Sequence, residues 1–298
     1  MNVSHPDRVI FPGAGLTKGD VVGHYGHVGE AMVGFLAGRP LTLERFPKGI
    51  DAKGFMQKNA GKHFPSSIER FSVPKRDGSS TTYPVVRNPG DLPYLANQGT
   101  LTFHMWTARA ERPHHPDWFV IDLDPEADDL EGVRFATQAI GDVLAEFSLQ
   151  GFVLATGSKG FHVWVRLDAT VAFSDVSLAT RALAGLAARR YPQQLTTEFL
   201  KRDRTGRVFV DWLRNTGIAT VVVPFSLRPR PGAPVAVPLT WAELATAHPD
   251  QWTLGDIEDR LAVALPSHEH TLPVAEIVEA ARRAGVDLDT PHDRFGPR

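Results

Sequence analysis

The chain has 298 residues, 42% of them apolar and 22% charged, which is an ordinary globular balance and, at roughly 150 residues per domain, leaves room for one large domain or two small ones. Lys and Arg number 32 against 34 Asp and Glu, a formal net charge of -2, so bulk positive charge cannot hold the chain to nucleic acid and any anionic partner must be gripped locally. There is no cysteine, which excludes a disulfide scaffold, thiolate zinc sites, iron–sulfur clusters and cysteine nucleophiles.

Residues 1–12 carry charges and prolines before any apolar run forms, unlike a secretory signal. Thr17 then precedes apolar residues on a helical period (Val21, Val22, Tyr25, Val28, Met32, Val33, Leu36), which predicts one helix ending at Gly38 and Pro40. Strand-like runs follow at Leu41–Phe46, Gly54–Asn59, Thr81–Val86, Leu101–Trp106 and Trp118–Asp124, separated by Gly, Pro and Asp punctuation. Asp129–Gln150 reads as an amphipathic helix leading to strands Phe152–Ala155 and Phe161–Leu167, and Ser174–Arg190 as another helix. Val208–Leu213 and Ala219–Phe225 are β-rich, a Pro-rich turn runs from Pro229 to Pro238, and short helices are expected near Trp241–His248, Leu254–Val263 and Val274–Ala284. The longest apolar stretches fall far short of the roughly 20 residues that cross a bilayer. The expectation is a soluble, cytoplasmic α/β (α+β) domain of two sheets flanked by helices, with no membrane partner.

Charge is unevenly spread. Residues 1–90 hold 12 Lys and Arg against 7 acids, 201–230 hold 7 against 2, and 241–298 hold 5 against 11. A basic face and an acidic C-terminal cap follow.

Strand alternation in Phe119-Val120-Ile121-Asp122-Leu123-Asp124 sends the two aspartates to one face. Adjacent carboxylates repel unless a cation sits between them, and Mg2+ or Mn2+ prefers such oxygen donors; two solvated aspartates at a strand end are the plain alternative. Thr156-Gly157-Ser158-Lys159-Gly160-Phe161-His162 combines glycines, hydroxyls and a lysine, as a phosphate cradle would, or an ordinary Gly-containing hairpin. Asp211 in Asp211-Trp212-Leu213-Arg214-Asn215 offers a third carboxylate, and Arg214 with Arg228 could fork onto phosphate oxygens, although each arginine alone reads as a surface residue. His104, beside Trp106, is either a ligand contact or a satisfied structural histidine. In the N-terminal half Arg8, Lys18, Arg45, Lys48, Lys53, Lys58 and Lys62 are interleaved with aromatics, a pattern suited to a phosphodiester backbone and base stacking, or to a solvated face over core rings.

Taken together and in this order, the segments from about His5 to Leu265 resemble the polymerase domain of bacterial DNA ligase D and its stand-alone relatives, in the archaeo-eukaryotic primase superfamily. The landmarks are residues 5–12, Phe55-Met56-Gln57-Lys58, His104-Met105-Trp106, the D-x-D, the 156–162 loop, residues 211–215 and residues 226–234. The resemblance implies a primase-like core and a single domain over 1–298, with a DNA-end and template-binding half (about 1–95), a catalytic core (about 96–240) and an acidic helical segment (about 241–298). It further implies Asp122, Asp124 and Asp211 as catalytic ligands of two metal ions, Mn2+ or Mg2+, and His104, Thr156, Ser158, Lys159, His162, Arg214 and Arg228 as the nucleoside triphosphate site. Arg8 and Lys18 would grip the 5′-phosphate of a gap or end, and Phe55 and Met56 would stack on template. Three positions depart from the family: Thr156 replaces a serine, Arg8 a lysine, and Met56 an aromatic.

The implied activity is template-directed nucleotidyl transfer that fills short gaps or extends ends in repair, with ribonucleotides preferred. Ku and a separate ligase would be partners in end joining, and a nucleoid-associated location would follow; the chain has room for neither a ligase nor a phosphoesterase domain. The residues alone also admit a metal-dependent glycosyltransferase built on the D-x-D, a metal-dependent nuclease, or a non-catalytic module that binds DNA ends.

Overall fold

A reciprocal cap starts the first helix: the Asp20 amide donates to Thr17 Oγ1 and the Thr17 amide donates to Asp20 Oδ2, so the helix begins at Lys18. The computed structural model describes residues 2–126, 128–264 and 266–290. Strands β1 (Val9–Phe11) and β2 (Leu16–Thr17) precede α1 (Lys18–His27) and α2 (Gly29–Leu36). The expected single helix is thus two, broken at buried Val28 where Gly29 seats on Pro89; a Cβ at Gly29 would lie 3.1 Å from the proline ring.

Next come β3 (Leu41–Arg45), β4 (Phe55–Gln57), β5 (Glu69–Pro74), β6 (Ser80–Val85), α3 (Asp91–Asn97), β7 (Thr100–Met105), β8 (Trp118–Asp124), α4 (Leu130–Glu146), β9 (Gly151–Ala155), β10 (Phe161–Arg166) and α5 (Phe173–Arg190). The chain continues through β11 (Leu195–Thr196), α6 (Lys201–Arg204), β12 (Val208–Asp211), β13 (Val221–Val222), β14 (Val237–Leu239), α7 (Glu258–Leu261) and α8 (Val274–Arg283). The strand expected over 219–225 shrinks to two residues: Pro224 has no amide to donate, and Phe225 is left-handed at φ 69°. The helix expected near 241–248 is only a 3-10 turn at Glu243–Ala245, and that near 254–263 is a 3-10 turn followed by α7. Residues 291–298 of the acidic segment lie outside the described residues.

The main sheet has the order β11-β12-β8-β10-β9-β14 and the second β13-β7-β3-β4; every pairing in both is antiparallel except β11 with β12. The mixed α/β architecture with two principal sheets agrees with the sequence expectation. Helices α4 and α5 pack against the main sheet, and α8 packs on α5. Trp118, Phe152 and Trp164 cluster with Phe35 of α2, which ties the main sheet to the N-terminal helices. A buried ion pair ties the second sheet's approach to β8: Arg39, with no exposed surface, forks onto Asp117 at 2.5 and 2.7 Å. Among the described residues no helix is long and apolar enough to cross a membrane.

Candidate active site

Phe119, Ile121 and Leu123 of β8 are fully buried on one face of the main sheet, leaving Asp122 and Asp124 on the other. Cross-strand partners share a face, and the register sets Asp211 of β12 and His162 of β10 opposite Asp122 on its two sides. Asp211, Asp122 and His162 therefore stand in a row on adjacent strands, with Asp124 one pleat further along. Arg214 closes the group, its Nε 3.1 Å from Asp122 Oδ2 and 3.3 Å from Asp211 Oδ2, while His162 Nε2 lies 3.4 Å from Asp122 Oδ1.

Burial pushes the Asp122 carboxyl up, but His162 and Arg214 outweigh it and hold it well below the usual range. Asp124 moves the other way, because the Asp122 charge beside it and its own burial favour the neutral form. Burial disfavours the Arg214 cation; Asp122 and Asp211 more than offset that and raise its pKa. Carboxylate oxygens are what hard divalent cations take, and the repulsion that raises Asp124 is what a cation relieves, so donor type and placement fit Mg2+ or Mn2+. The carboxylates are nonetheless not drawn together. Among the described residues no three liganding side chains converge on one point, and Arg214 bridges Asp122 and Asp211 instead.

The 156–160 loop lies directly on β8. Gly157 is left-handed at φ 63°, and a Cβ on Gly160 would come within 2.0 Å of the Leu123 carbonyl oxygen, so only glycine allows this approach. The Thr156 hydroxyl donates to the Gly160 carbonyl at 2.7 Å and closes the loop, while the Thr156 carbonyl accepts Nη1 of Arg228 at 2.8 Å. Lys159 pairs with Asp128 at 2.9 Å on the surface. With Ser158, Arg230 and His248 these two line a cavity of about 460 Å³ that Pro125, the residue after Asp124, also borders. Arg228 Nε is buried without a partner among the described residues, a donor left for an anion to satisfy.

His104, on β7 of the second sheet, lies near enough to Arg228 and Arg214 to feel both charges. Its Nε2 lies 3.6 Å from Glu44 Oε2, and burial lowers the imidazole pKa although Glu44 opposes the shift. Burial likewise pushes Glu44 up, but His104 and Thr102 outweigh it and keep the carboxyl below its ordinary range. Sequence reasoning passes over Glu44. Its signal was the alternation that puts Thr42 and Glu44 on one face of β3, with Thr42 registered opposite His104. Asn215 has a role equally hidden: its amide bonds both the amide and the carbonyl of Val120, at 2.8 and 2.7 Å, taking the place of the strand residue where β12 turns away from β8.

The remaining candidates sit apart from the carboxylates. Arg8 and Lys18 line a cavity of about 100 Å³ with Phe46, Pro47 and residues 97–99. Burial first, and the Arg8 charge second, lower the Lys18 pKa. Phe55 and Met56 project from edge strand β4 with 48% and 50% of their surface exposed, Arg45 lying 5.3 Å from the Phe55 ring centre.

Residues 17–265 match the family model described as LigD, primase-polymerase domain. The multifunctional non-homologous end joining protein LigD of Mycobacterium bovis is 33% identical over 98% of this chain and 40% of that protein. The bifunctional LigD of Bacillus subtilis is 28% identical over 86% of the chain and 41% of that protein, so the chain spans less than half the length of these relatives. Among solved structures, the polymerase domain of Mycobacterium tuberculosis ligase D in complex with DNA superposes with a TM-score of 0.77 at 30% identity, covering 96% of this chain and 95% of that one.

Proposed function

Because the chain belongs to the LigD primase-polymerase domain family and is a nucleotidyltransferase of the polymerase class, we propose that it adds nucleotides to a primer 3′-hydroxyl opposite a DNA template, filling short gaps or extending ends during repair. The observation that carries the reading is a cluster of charge on one sheet. Asp122, Asp124 and Asp211 lie on β8 and β12, the 156–160 loop approaches Asp124 at Gly160, and Arg228 is near enough to feel the charges of Asp122 and Asp124. In this reading the three carboxylates hold two divalent cations, Mn2+ or Mg2+, which supply activation of the 3′-hydroxyl and relief of triphosphate charge.

The chain's own residues supply the rest. Arg214 and Arg228 offer fixed positive charge to the triphosphate, placed by the fold before the substrate arrives. Lys159 adds a point charge at the loop tip, and Thr156 and Ser158 shape the cradle around it. His162 orients Asp122 from the neighbouring strand, and His104, set by Glu44, borders the nucleotide from the second sheet. Arg8 and Lys18 receive the 5′-phosphate downstream of the gap, and Phe55 with Met56 stacks on template bases. Ribonucleotide preference, and Ku with a separate ligase as partners, belong to the same proposal.

The test is extension of a labelled primer across a short 5′-phosphorylated gap with Mn2+, comparing ribonucleotides with deoxynucleotides. Asp122→Ala and Asp124→Ala are expected to abolish extension and to keep DNA binding, since in this reading the carboxylates hold metal and not the duplex. Extension retained by both variants would refute the assignment.

A further inference from the structure

Two buried polar side chains of α1 take no part in the candidate active site. His24 Nε2 lies 2.8 Å from the Phe225 carbonyl oxygen; burial drives the imidazole down to about 4, so the neutral ring donates from Nε2. The Tyr25 hydroxyl donates to the Leu101 carbonyl and accepts the Leu227 amide at 3.0 Å. On the far side of the same residue, the Thr102 hydroxyl donates to the Leu227 carbonyl at 2.8 Å. Residues 225–227 are thus suspended between α1 and β7. They need the support, because Phe225 is a non-glycine residue at φ 69°, a strained conformation that persists only where its surroundings impose it. The next residue is Arg228, which reaches Thr156 and carries the unpartnered Nε.

At its other end α1 begins with Lys18. Lys18 Nζ donates to the Ser4 carbonyl at 2.8 Å and to Ser4 Oγ at 2.7 Å, and Arg8 Nη1 donates to the Pro47 carbonyl at 2.8 Å. The cavity they line also reaches Leu101, whose carbonyl holds Tyr25. At 1.5 Å of rise per residue, Lys18 and Tyr25 are about 10 Å apart along one capped helix. An anion between Lys18 and Arg8 competes with Ser4 and Pro47 for the same N–H groups, and so bears on the seating of the first turn of α1.

We propose that Tyr25 is a positioning residue that carries occupancy of the Arg8–Lys18 pocket to Arg228, so that a phosphate in the pocket tightens the hold on nucleoside triphosphate at the active site. The proposal rests on the reading of that pocket as a 5′-phosphate site. By linkage the effect is reciprocal: bound nucleotide strengthens the grip on the phosphate. A single hydroxyl thereby makes the enzyme ready for nucleotide when a gap has a ligatable far side.

The experiment uses the full chain and gapped DNA ending in a 5′-phosphate or a 5′-hydroxyl. It reads the Kd for DNA separately from the KM and kcat for nucleoside triphosphate, in the parent and in Tyr25→Phe, which keeps the ring and loses the hydroxyl. In the parent the phosphate is expected to lower the nucleotide KM about fivefold or more, the low end of ordinary coupling between sites. In Tyr25→Phe the two KM values are expected to coincide while DNA binding still prefers the phosphate. A phosphate effect on KM that survives in Tyr25→Phe overturns the coupling, as does its absence in a parent whose DNA binding prefers the phosphate. DNA binding indifferent to the phosphate overturns the reading of the pocket, and the coupling falls with it. Should Tyr25→Phe fail to fold, hydrogen exchange at the Leu227 amide of the parent decides: slower exchange on phosphorylated than on hydroxyl-ended gaps supports the proposal, and equal rates overturn it.

Discussion

Replacing Asn215 with Ala tests whether a side chain completes the sheet beneath the carboxylates. Asn215 is fully buried and its amide serves the amide and the carbonyl of Val120, two residues before Asp122. It also reaches the Trp212 carbonyl, which keeps a second donor in the Asn215 backbone amide. The substitution therefore strands two buried groups of β8. At about 1–3 kcal/mol for each unsatisfied group, the expected loss is about 2–6 kcal/mol, a large share of the roughly 5–15 kcal/mol that keeps a domain folded. Urea denaturation followed by circular dichroism and tryptophan fluorescence measures it, with an unchanged slope showing that the unfolded state is not the cause. Extension assayed well below the midpoint is expected to fall as well, because Asp122 depends on the line of β8. A loss under about 1 kcal/mol would mean that water replaces the amide, and the argument for Asn215 as a surrogate strand residue would fail.

Replacing Arg8 and Lys18 together with Ala is expected to erase the advantage of a 5′-phosphorylated gap over a plain primer end, read as the ratio of extension rates on the two substrates. Phe55→Ala is expected to weaken binding to templated DNA by about 1–3 kcal/mol, the worth of a base stacked on a ring, seen by fluorescence anisotropy; unchanged affinity would remove Phe55 from the template platform. Gly160→Ala forces a Cβ against the Leu123 carbonyl oxygen, so the loop must lift and the nucleotide KM is expected to rise, with wild-type kinetics as the refuting result. His24 gives a pH dependence: its folded value near 4 lies below the ordinary 6.5, so below pH 6.5 the unfolded chain takes up a proton that the folded one refuses. Its contribution is complete above about pH 6.5 and is lost as pH falls to about 4, roughly 3 kcal/mol over that interval, and His24→Gln should flatten this part of the urea-midpoint profile.

Much of the fold could be read because its signals are local. The Trp118–Asp124 strand shows its boundaries in its own alternation and in the proline that follows, and the long helix over 130–146 starts at the Asp129 cap, which accepts the Gly132 amide at 2.9 Å. Alternation along β8 puts Asp122 and Asp124 on one face by counting residues alone, while the register that sets Asp211 and His162 opposite Asp122 depends on strands roughly 40 to 90 residues away and cannot be counted from one segment. Strands β1, β2, β11 and β14 and helices α3 and α6 were missed, being short or supported by partners distant in sequence, and β5 was missed because its six residues are exposed or half-buried and offer no buried face to read. Glu44 was invisible as a site residue because its meaning depends on His104 across a sheet. The His24 contact spans 201 residues, and no periodicity in either segment announces it. The bridge that Arg214 makes between Asp122 and Asp211 was hidden as well, because it depends on how the chain turns after β12, where Asn215 takes the strand position, and spacing does not show that.

Strand β4 ends the second sheet, so among the described residues one side of its backbone lacks a strand partner just where Phe55 and Met56 stand exposed. An open strand edge with apolar side chains is also what recruits a second sheet and starts aggregation. Here the strand is three residues long and exposed Lys53 and Lys58 flank it, a charged fence at each end. The consequence is a ceiling on how the platform can improve. Lengthening the strand or adding rings would enlarge the surface offered to a base and to another copy of the chain alike. Gains in affinity for nucleic acid are therefore expected to accumulate in the surrounding lysines and arginines, and the methionine standing at position 56 in place of a ring reads as restraint imposed by solubility.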